Sequence, residues 1–422
     1  MRSRRTSAIL VAVSSLALAV PASAAPTDID NARFYANQTP YGDGSTARTA
    51  APPDGYETFF VETVSRHGSR SMTSTRTEKK VLALWSKASA RGQLTTRGRR
   101  FAADLKAFQK AEKSVGYGHL SSIGKAEWRS IGRRTATTYA DFFTEVSRAG
   151  DLVAMTNSPV YRTRQSAHQM RSGLDSQVAG LRYAPRVTDE DLVISNGTSK
   201  KGAAAVRAVE RRSSVRQAAS HVLGRLYRPA FVRTIDDPVE AALDVYMLYG
   251  IAAGMADDTK VTFADYVPLS AARTLAEARD AWNFYAYGPG VAGERSSYKG
   301  ARPILDDFFA DLDRRIAGGS TAAVFRHAHG EATMPFAALS KVVGSSTQAS
   351  RTFGYGSNPW RGWVAGRMAG SIEWTAFRNA DGGVLVTVRQ NEHPVRLDAS
   401  CTPSAVGGGM FYRVSQLKKC LR

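Results

Sequence analysis

Five consecutive residues, Arg66-His67-Gly68-Ser69-Arg70, carry the densest chemistry in the 422-residue chain. Two guanidiniums flank an imidazole. Arginine stays charged at every working pH and presents its donors in a fixed plane, so the pair suits a tetrahedral oxyanion. The imidazole between them tends to stay neutral, because neighbouring positive charge disfavours its protonated form. A neutral imidazole is a nucleophile. In a chain this rich in arginine the same residues also read as a basic surface turn, and the pentapeptide alone does not separate the two.

Such a cluster works only where the backbone holds it still. The β-branched and aromatic run 56–65 predicts a strand that feeds the Gly- and Ser-broken loop. Apolar spacings of three and four over 76–112 (Phe101, Leu105, Phe108) and 124–148 (Ile131, Thr135, Tyr139, Phe142) predict amphipathic helices. A short strand is predicted over 152–156, then a stop and cap at Asn157-Ser158-Pro159, then a helix with Arg162 in its first turn. The pattern recurs at 322–325, a strand followed by the polar loop 326–331 and a helix from Ala332 that tolerates Pro335 in its first turn. Between them, 185–315 reads as mainly helical, with an apolar stretch over 239–255. The segment 370–397 reads as hairpins. The predicted fold is α/β: a sheet flanked by helices, formed by 56–184 and 316–422, with 185–315 as a mainly helical insertion or cap. In such sheets ligands bind at the C-terminal ends of the strands.

Composition limits the class of protein. Apolar residues make up 43% of the chain and aromatics recur throughout, which excludes general disorder and a purely basic tail. The formal net charge is +20. Residues 1–24 read as an export signal: Arg2, Arg4 and Arg5, an apolar stretch from Ala8 to Val20, and Ala22-Ser23-Ala24 as the cleavage site. The stretch is well short of the roughly 20 residues that span a bilayer, so secretion without a membrane span is expected. The Arg4-Arg5 pair suits the Sec or the twin-arginine route. Residues 25–55, polar and rich in Gly, Pro and Thr, read as an extended lead-in, with order expected from Tyr56. Cys401 and Cys420 are the only cysteines, and in an exported chain they predict a disulfide. It would close a loop of about 20 residues, worth about 3 kcal/mol on the loop-entropy account.

Arg66, His67, Gly68 and Arg70 resemble the RHGxRxP signature of the histidine phosphatase superfamily, in its acid phosphatase and phytase branch. Met72 stands where that signature has proline, whose ring would stiffen the loop. Arg162 precedes Ser166-Ala167 with the spacing of the family's third arginine. His329-Gly330-Glu331, with Pro335 six residues after the histidine, resembles the version found in the multiple inositol-polyphosphate phosphatase subgroup. His327 competes for the same role, but the spacing to Pro335 and to Glu331 selects His329 and leaves His327 as a structural or rim neighbour. Residues 368–374, 384–388 and 391–395 with Cys401 resemble the subgroup's C-terminal segment. Both 118–124 and 92–98 resemble its G-x-L-T/S-x-x-G helix start.

The resemblance implies a phosphohistidine mechanism. His67 would attack phosphorus in line, and Arg66, Arg70, Arg162 and His329 would hold the non-bridging oxygens. Glu331 would protonate the leaving alkoxide and then help activate water. No metal or organic cofactor is implied. An ordinary glutamate pKa of about 4.3 predicts an acid optimum, unless burial raises it.

The excess positive charge would steer a small polyphosphate such as phytate towards the site. Arg76, Lys79, Lys80, Lys200, Lys201, Arg207 and Arg211 are the candidate rim contacts. No nucleic-acid partner is expected, and a monomer is. Two other readings stay open at this level: a broad acid phosphatase on sugar or nucleotide phosphates, and a basic polyanion-binding protein with a vestigial site.

Overall fold

The computed structural model describes residues 34–42, 44 and 50–421, so the predicted signal 1–24 and most of the lead-in lie outside it. In chain order the elements are β1 (Tyr56–Arg66), α1 (Arg76–Ala90), α2 (Thr96–Val115), α3 (Ser122–Thr138), α4 (Ala140–Ala149), β2 (Leu152–Asn157) and α5 (Tyr161–Asp175). The short strands β3 (Arg182–Tyr183) and β4 (Val187–Thr188) lead into α6 (Lys200–Glu210), α7 (Ser213–Leu226), α8 (Pro229–Val232), α9 (Pro238–Ala253), α10 (Leu269–Ala286) and α11 (Arg302–Ile316). There follow β5 (Thr321–Ala328), α12 (Gly330–Leu339), α13 (Gly362–Ala365), β6 (Ser371–Asn379), β7 (Val384–Gln390), β8 (His393–Val395), β9 (Phe411–Arg413) and α14 (Val414–Leu421).

Among the described residues the strands form one nine-stranded sheet, ordered β3-β2-β5-β1-β6-β7-β8, with β4 beside β2 and β9 beside β7. β2, β5 and β1 run parallel, and β6 and β7 close one side antiparallel. Alternation along the strands divides the core between the two faces. Val61, Val153, Met155 and Phe325 pack with Trp128, Ile131, Phe143 and Met170 of the 122–175 helices. Phe60, Val64 and Val324 pack on the other face with Phe308, Phe309, Phe336 and Trp374. A third cluster fills the helical part, around Phe101, Phe108, Leu223, Leu248, Phe284 and Trp360.

Four local expectations change. Each of the two long helices predicted over 76–112 and 124–148 is a pair. The first breaks at Gly92, at φ +63, and Thr95 recaps α2 by accepting from the Gly98 N–H. The second breaks at Tyr139, whose hydroxyl is committed to Glu373 at 2.5 Å and to Arg389 at 2.9 Å. The strand predicted at 322–325 continues to Ala328, which takes His327 into the sheet. The following helix starts at Gly330 rather than Ala332, so Pro335 lies inside it and the bond it forgoes is the one to the Glu331 carbonyl.

The lead-in also does more than expected. A 3₁₀ turn over Ala36–Gln38 is buried, together with Tyr35, Thr39 and Tyr41. Order therefore begins before Tyr56. Cys401 and Cys420 are disulfide-bonded. No helix among the described residues is long and apolar enough to cross a membrane.

Candidate active site

Register brings the three parallel strands to a common end. Arg66 pairs with Ala328 and Asn157 with His327, so the loops after β1, β2 and β5 leave the sheet side by side. α5 and α12 begin there, and their N-termini add partial positive charge. Arg162 lies in the first turn of α5, His329 is the N-cap of α12, and Glu331 is in its first turn. Gly330 leaves room for Arg66, since a Cβ there would sit 3.2 Å from its Nε.

His67 is buried, with its N–H bonded to Ala328 O at 3.1 Å. Its Nδ1 lies 2.9 Å from Gly68 O. A carbonyl only accepts, so Nδ1 carries the proton and Nε2 keeps its lone pair. No protein group among the described residues binds Nε2. Burial, then Arg162, Arg66, Arg70 and His329, hold the imidazole well below its ordinary pKa, hence neutral.

The loop carrying His67 is braced from below. Glu127 of α3 accepts from Ser69 N at 2.7 Å, Ser69 Oγ at 2.8 Å and Tyr41 N at 2.8 Å. Gly68 N donates to Ser166 Oγ at 3.3 Å. The start of α3 presses against the loop so closely that a Cβ on Gly124 would lie 1.9 Å from Ser69 O. Of the two similar helix starts, 118–124 thus meets the His67 loop, whereas Gly98 of 92–98 packs against Leu226.

The three arginines share a pattern. Arg66 Nη1 donates to Asn37 O and, at 2.5 Å, to Gly366 O. Arg70 Nη1 donates to Ser71 O at 2.7 Å, and Arg162 Nη2 donates to His329 Nδ1 at 3.2 Å. In each, the Nε–H is buried without a partner. Burial lowers all three pKa values, Arg66 to about 10 and Arg70 to about 9. They stay charged at neutral pH, and an anion would satisfy the orphaned donors.

His329 accepts from Arg162 at Nδ1, so its Nε2–H donates to Ser158 Oγ at 2.8 Å. Burial and then Arg162 lower its pKa to about 4. Its ring centroid is 5.6 Å from that of His67. Burial acts to raise the Glu331 carboxyl, but Arg66, its own N–H, His329 and Arg70 outweigh it and hold the group below the ordinary carboxylate range.

His327 is a structural residue rather than a rim one. It is fully buried, 4.7 Å from the Trp128 ring, and burial lowers its pKa to about 3. Among the rim candidates, Lys80 is paired with Glu240 at 2.6 Å and Lys201 with Glu294 at 3.7 Å. Arg76, Lys79, Lys200, Arg207 and Arg211 are exposed and make no hydrogen bond or ion pair with the residues above.

The helical segment contributes a residue that sequence spacing does not single out. Arg279 of α10 lies over the Trp282 ring at 4.6 Å, its Nε is buried and unpartnered, and its charge acts on both Arg66 and Glu331. Burial lowers its pKa, and Glu331 is the chief group opposing that. Glu127, Ser158 and Asn37 were equally hidden, because each acts through a long-range contact.

The family model of the histidine phosphatase superfamily (branch 2) matches residues 59–230. No curated protein matches the sequence. The fold is similar to Bifidobacterium longum multiple inositol polyphosphate phosphatase in complex with inositol hexasulfate, with a TM-score of 0.85 and 26% identity. The similarity covers 92% of this chain and 97% of that one. The apo form of the same phosphatase gives 0.84 at 25% identity over the same shares. The phytase from D. castellii shares the fold at 0.65 and 13% identity, over 92% of this chain and 84% of that one.

Proposed function

We propose that the chain is an exported phosphomonoesterase that hydrolyses inositol polyphosphates through a phosphohistidine intermediate. One observation carries the reading: an imidazole with a free Nε2 lies among three guanidiniums, each with a buried, unpaired Nε–H. The excess of buried positive charge calls for an anion with several acceptor oxygens, which a phosphoryl group provides.

His67 Nε2 attacks phosphorus in line, and the ester oxygen leaves with a proton from Glu331. Arg66, Arg70 and Arg162 hold the equatorial oxygens and offset the charge of the transition state. His329 joins them once the phosphate draws Arg162 away from its Nδ1 and that nitrogen takes up a proton, which it then donates to a phosphate oxygen. Water then cleaves the phosphorus–nitrogen bond, with Glu331 taking a proton from it, which returns neutral His67 and inorganic phosphate.

In the free protein Glu331 is held ionised by arginines. A bound phosphate offsets those cations and raises the carboxyl towards protonation, so activity should rise on the acid side. Arg279, in reach of both Arg66 and Glu331 electrostatically, is a stronger candidate for a second phosphate of the substrate than the already paired Lys80 and Lys201. The likeness to a phosphatase solved with inositol hexasulfate supports this substrate class.

The test is time-resolved phosphate release from phytate, with separation of the inositol phosphates formed, beside glycerol phosphate at the same concentration. Ordered loss of phosphates with phytate preferred at least tenfold in kcat/KM, about 1.4 kcal/mol, is expected. Equal turnover of both would favour a broad acid phosphatase, and no release from either would overturn the reading.

A further inference from the structure

Met72 stands where the signature has proline, yet the segment is held in place by another route. Arg70 Nη1 is bonded to Ser71 O at 2.7 Å. Ser71 donates from Oγ to Gly116 O at 2.6 Å and from N to His119 O at 3.2 Å. Gly118 N donates to Met72 O at 2.7 Å, and the Met72 N–H, which proline would lack, donates to Glu112 Oε1 at 2.6 Å.

Glu112 does not stand alone. Glu78 lies beside it, and both side chains are fully buried. Tyr117 donates its hydroxyl to Glu78 Oε2 at 3.1 Å. Neither carboxyl has an ion-pair partner among the described residues, and the other charged group facing them is Arg70. Two buried carboxylates in contact cannot both ionise, so the pair holds a proton. Helix position says which one holds it. Glu112 is near the C-terminus of α2, where the anion is disfavoured. Glu112 therefore carries the proton, and it accepts from Met72 through Oε1.

We propose that Glu112 and Glu78, sharing one proton, are positioning residues that fix the Ser71–Met72 segment and so aim Arg70 at the bound phosphate. They supply by hydrogen bonding the stiffness that a proline ring would give. The proposal rests on the phosphate-binding reading of Arg70. Burial, with the Glu78 contact, pushes the Glu112 carboxyl up to about 9. The sign follows from proton counting. An unfolded glutamate releases its proton near pH 4.3, while the folded pair keeps it until about 9, so stability falls as pH rises across that window.

The test uses the full-length protein with inorganic phosphate as the probe. Phosphate affinity and melting temperature are measured for wild type, Glu112→Gln and Glu112→Leu from pH 4.5 to 8.5. Glutamine accepts from Met72 without a titrating proton. It should hold phosphate affinity within about threefold, and its melting temperature should gain on wild type as pH rises. Leucine orphans the Met72 N–H and should weaken phosphate binding about tenfold or more. If the leucine variant does not fold, Glu112→Asp, which withdraws the acceptor by one methylene, takes its place with the same expected direction. A folded Leu or Asp variant that binds phosphate like wild type overturns the positioning role. A Gln-to-wild-type gap in melting temperature that is constant with pH overturns the shared proton. Wild type that binds no phosphate at all overturns the functional reading instead, and the melting series still judges the pair.

Discussion

His67 and His329 leave neighbouring parallel strands at the same edge of the sheet, yet their two nitrogens are used in opposite ways. At His67 the backbone takes Nδ1 and leaves Nε2 without a partner. At His329 both nitrogens are engaged, Nδ1 by Arg162 and Nε2 by Ser158. A histidine with one free lone pair can attack; one with both nitrogens occupied can only orient. Residue type placed both imidazoles at the site, and the partner of the second nitrogen separates their roles.

The sharpest way to break that contrast is to remove the proposed nucleophile. His67→Ala should lower kcat on p-nitrophenyl phosphate by about 10³-fold or more with the fold retained by circular dichroism. His329→Ala should cost less, about 10²-fold, because the arginines still hold the phosphate. Equal losses would erase the distinction between the two histidines.

Glu331→Gln sharpens the same contrast from the leaving-group side. With an alkyl phosphate, kcat should fall by about 10²-fold, whereas p-nitrophenolate, which needs no proton to depart, should lose much less. The acid-side pH dependence seen with the alkyl ester should also flatten in that variant.

The smallest effect on rate is expected at His327, the third imidazole of this edge. His327→Phe should leave kcat within about threefold of wild type. Its signature lies in stability. Burial lowers the folded pKa from 6.5 to about 3, so the unfolded chain binds a proton that the folded one refuses. Stability is therefore lost as pH falls below 6.5, by roughly 3 kcal/mol between pH 6.5 and 4 from this group alone. The phenylalanine variant should lose less on acidification, as read by urea melts at the two pH values.

The strands that carry the site were legible because alternation and β-branching end abruptly at polar loops, as at Ser65-Arg66 and in 322–331. Arg162 and Glu331 were legible only through the family resemblance, Arg162 by its spacing to Ser166-Ala167 and Glu331 by its spacing to His329 and Pro335. The limits of the helices were not, since apolar spacing runs on through Gly92 and Tyr139 while caps and a distant hydroxyl network decide the breaks. The braces were hidden for a related reason. Glu127, Glu112 and Asn37 reach the site from 29 to 58 residues away in sequence, and a buried glutamate on an amphipathic helix carries no local sign of the N–H it will accept. Rim charges were the least legible, because an exposed Lys80 or Lys201 finds an acid nearby as readily as a substrate.

The central claim is tested most directly by rapid acid-free quenching of the protein during turnover of phytate, followed by mapping of the phosphorylated residue. The account predicts an acid-labile phosphohistidine at His67, bonded through Nε2, formed and lost at rates compatible with kcat. A phosphoryl group on His329, attachment through Nδ1 of His67, or turnover with no phosphoenzyme at all would contradict it.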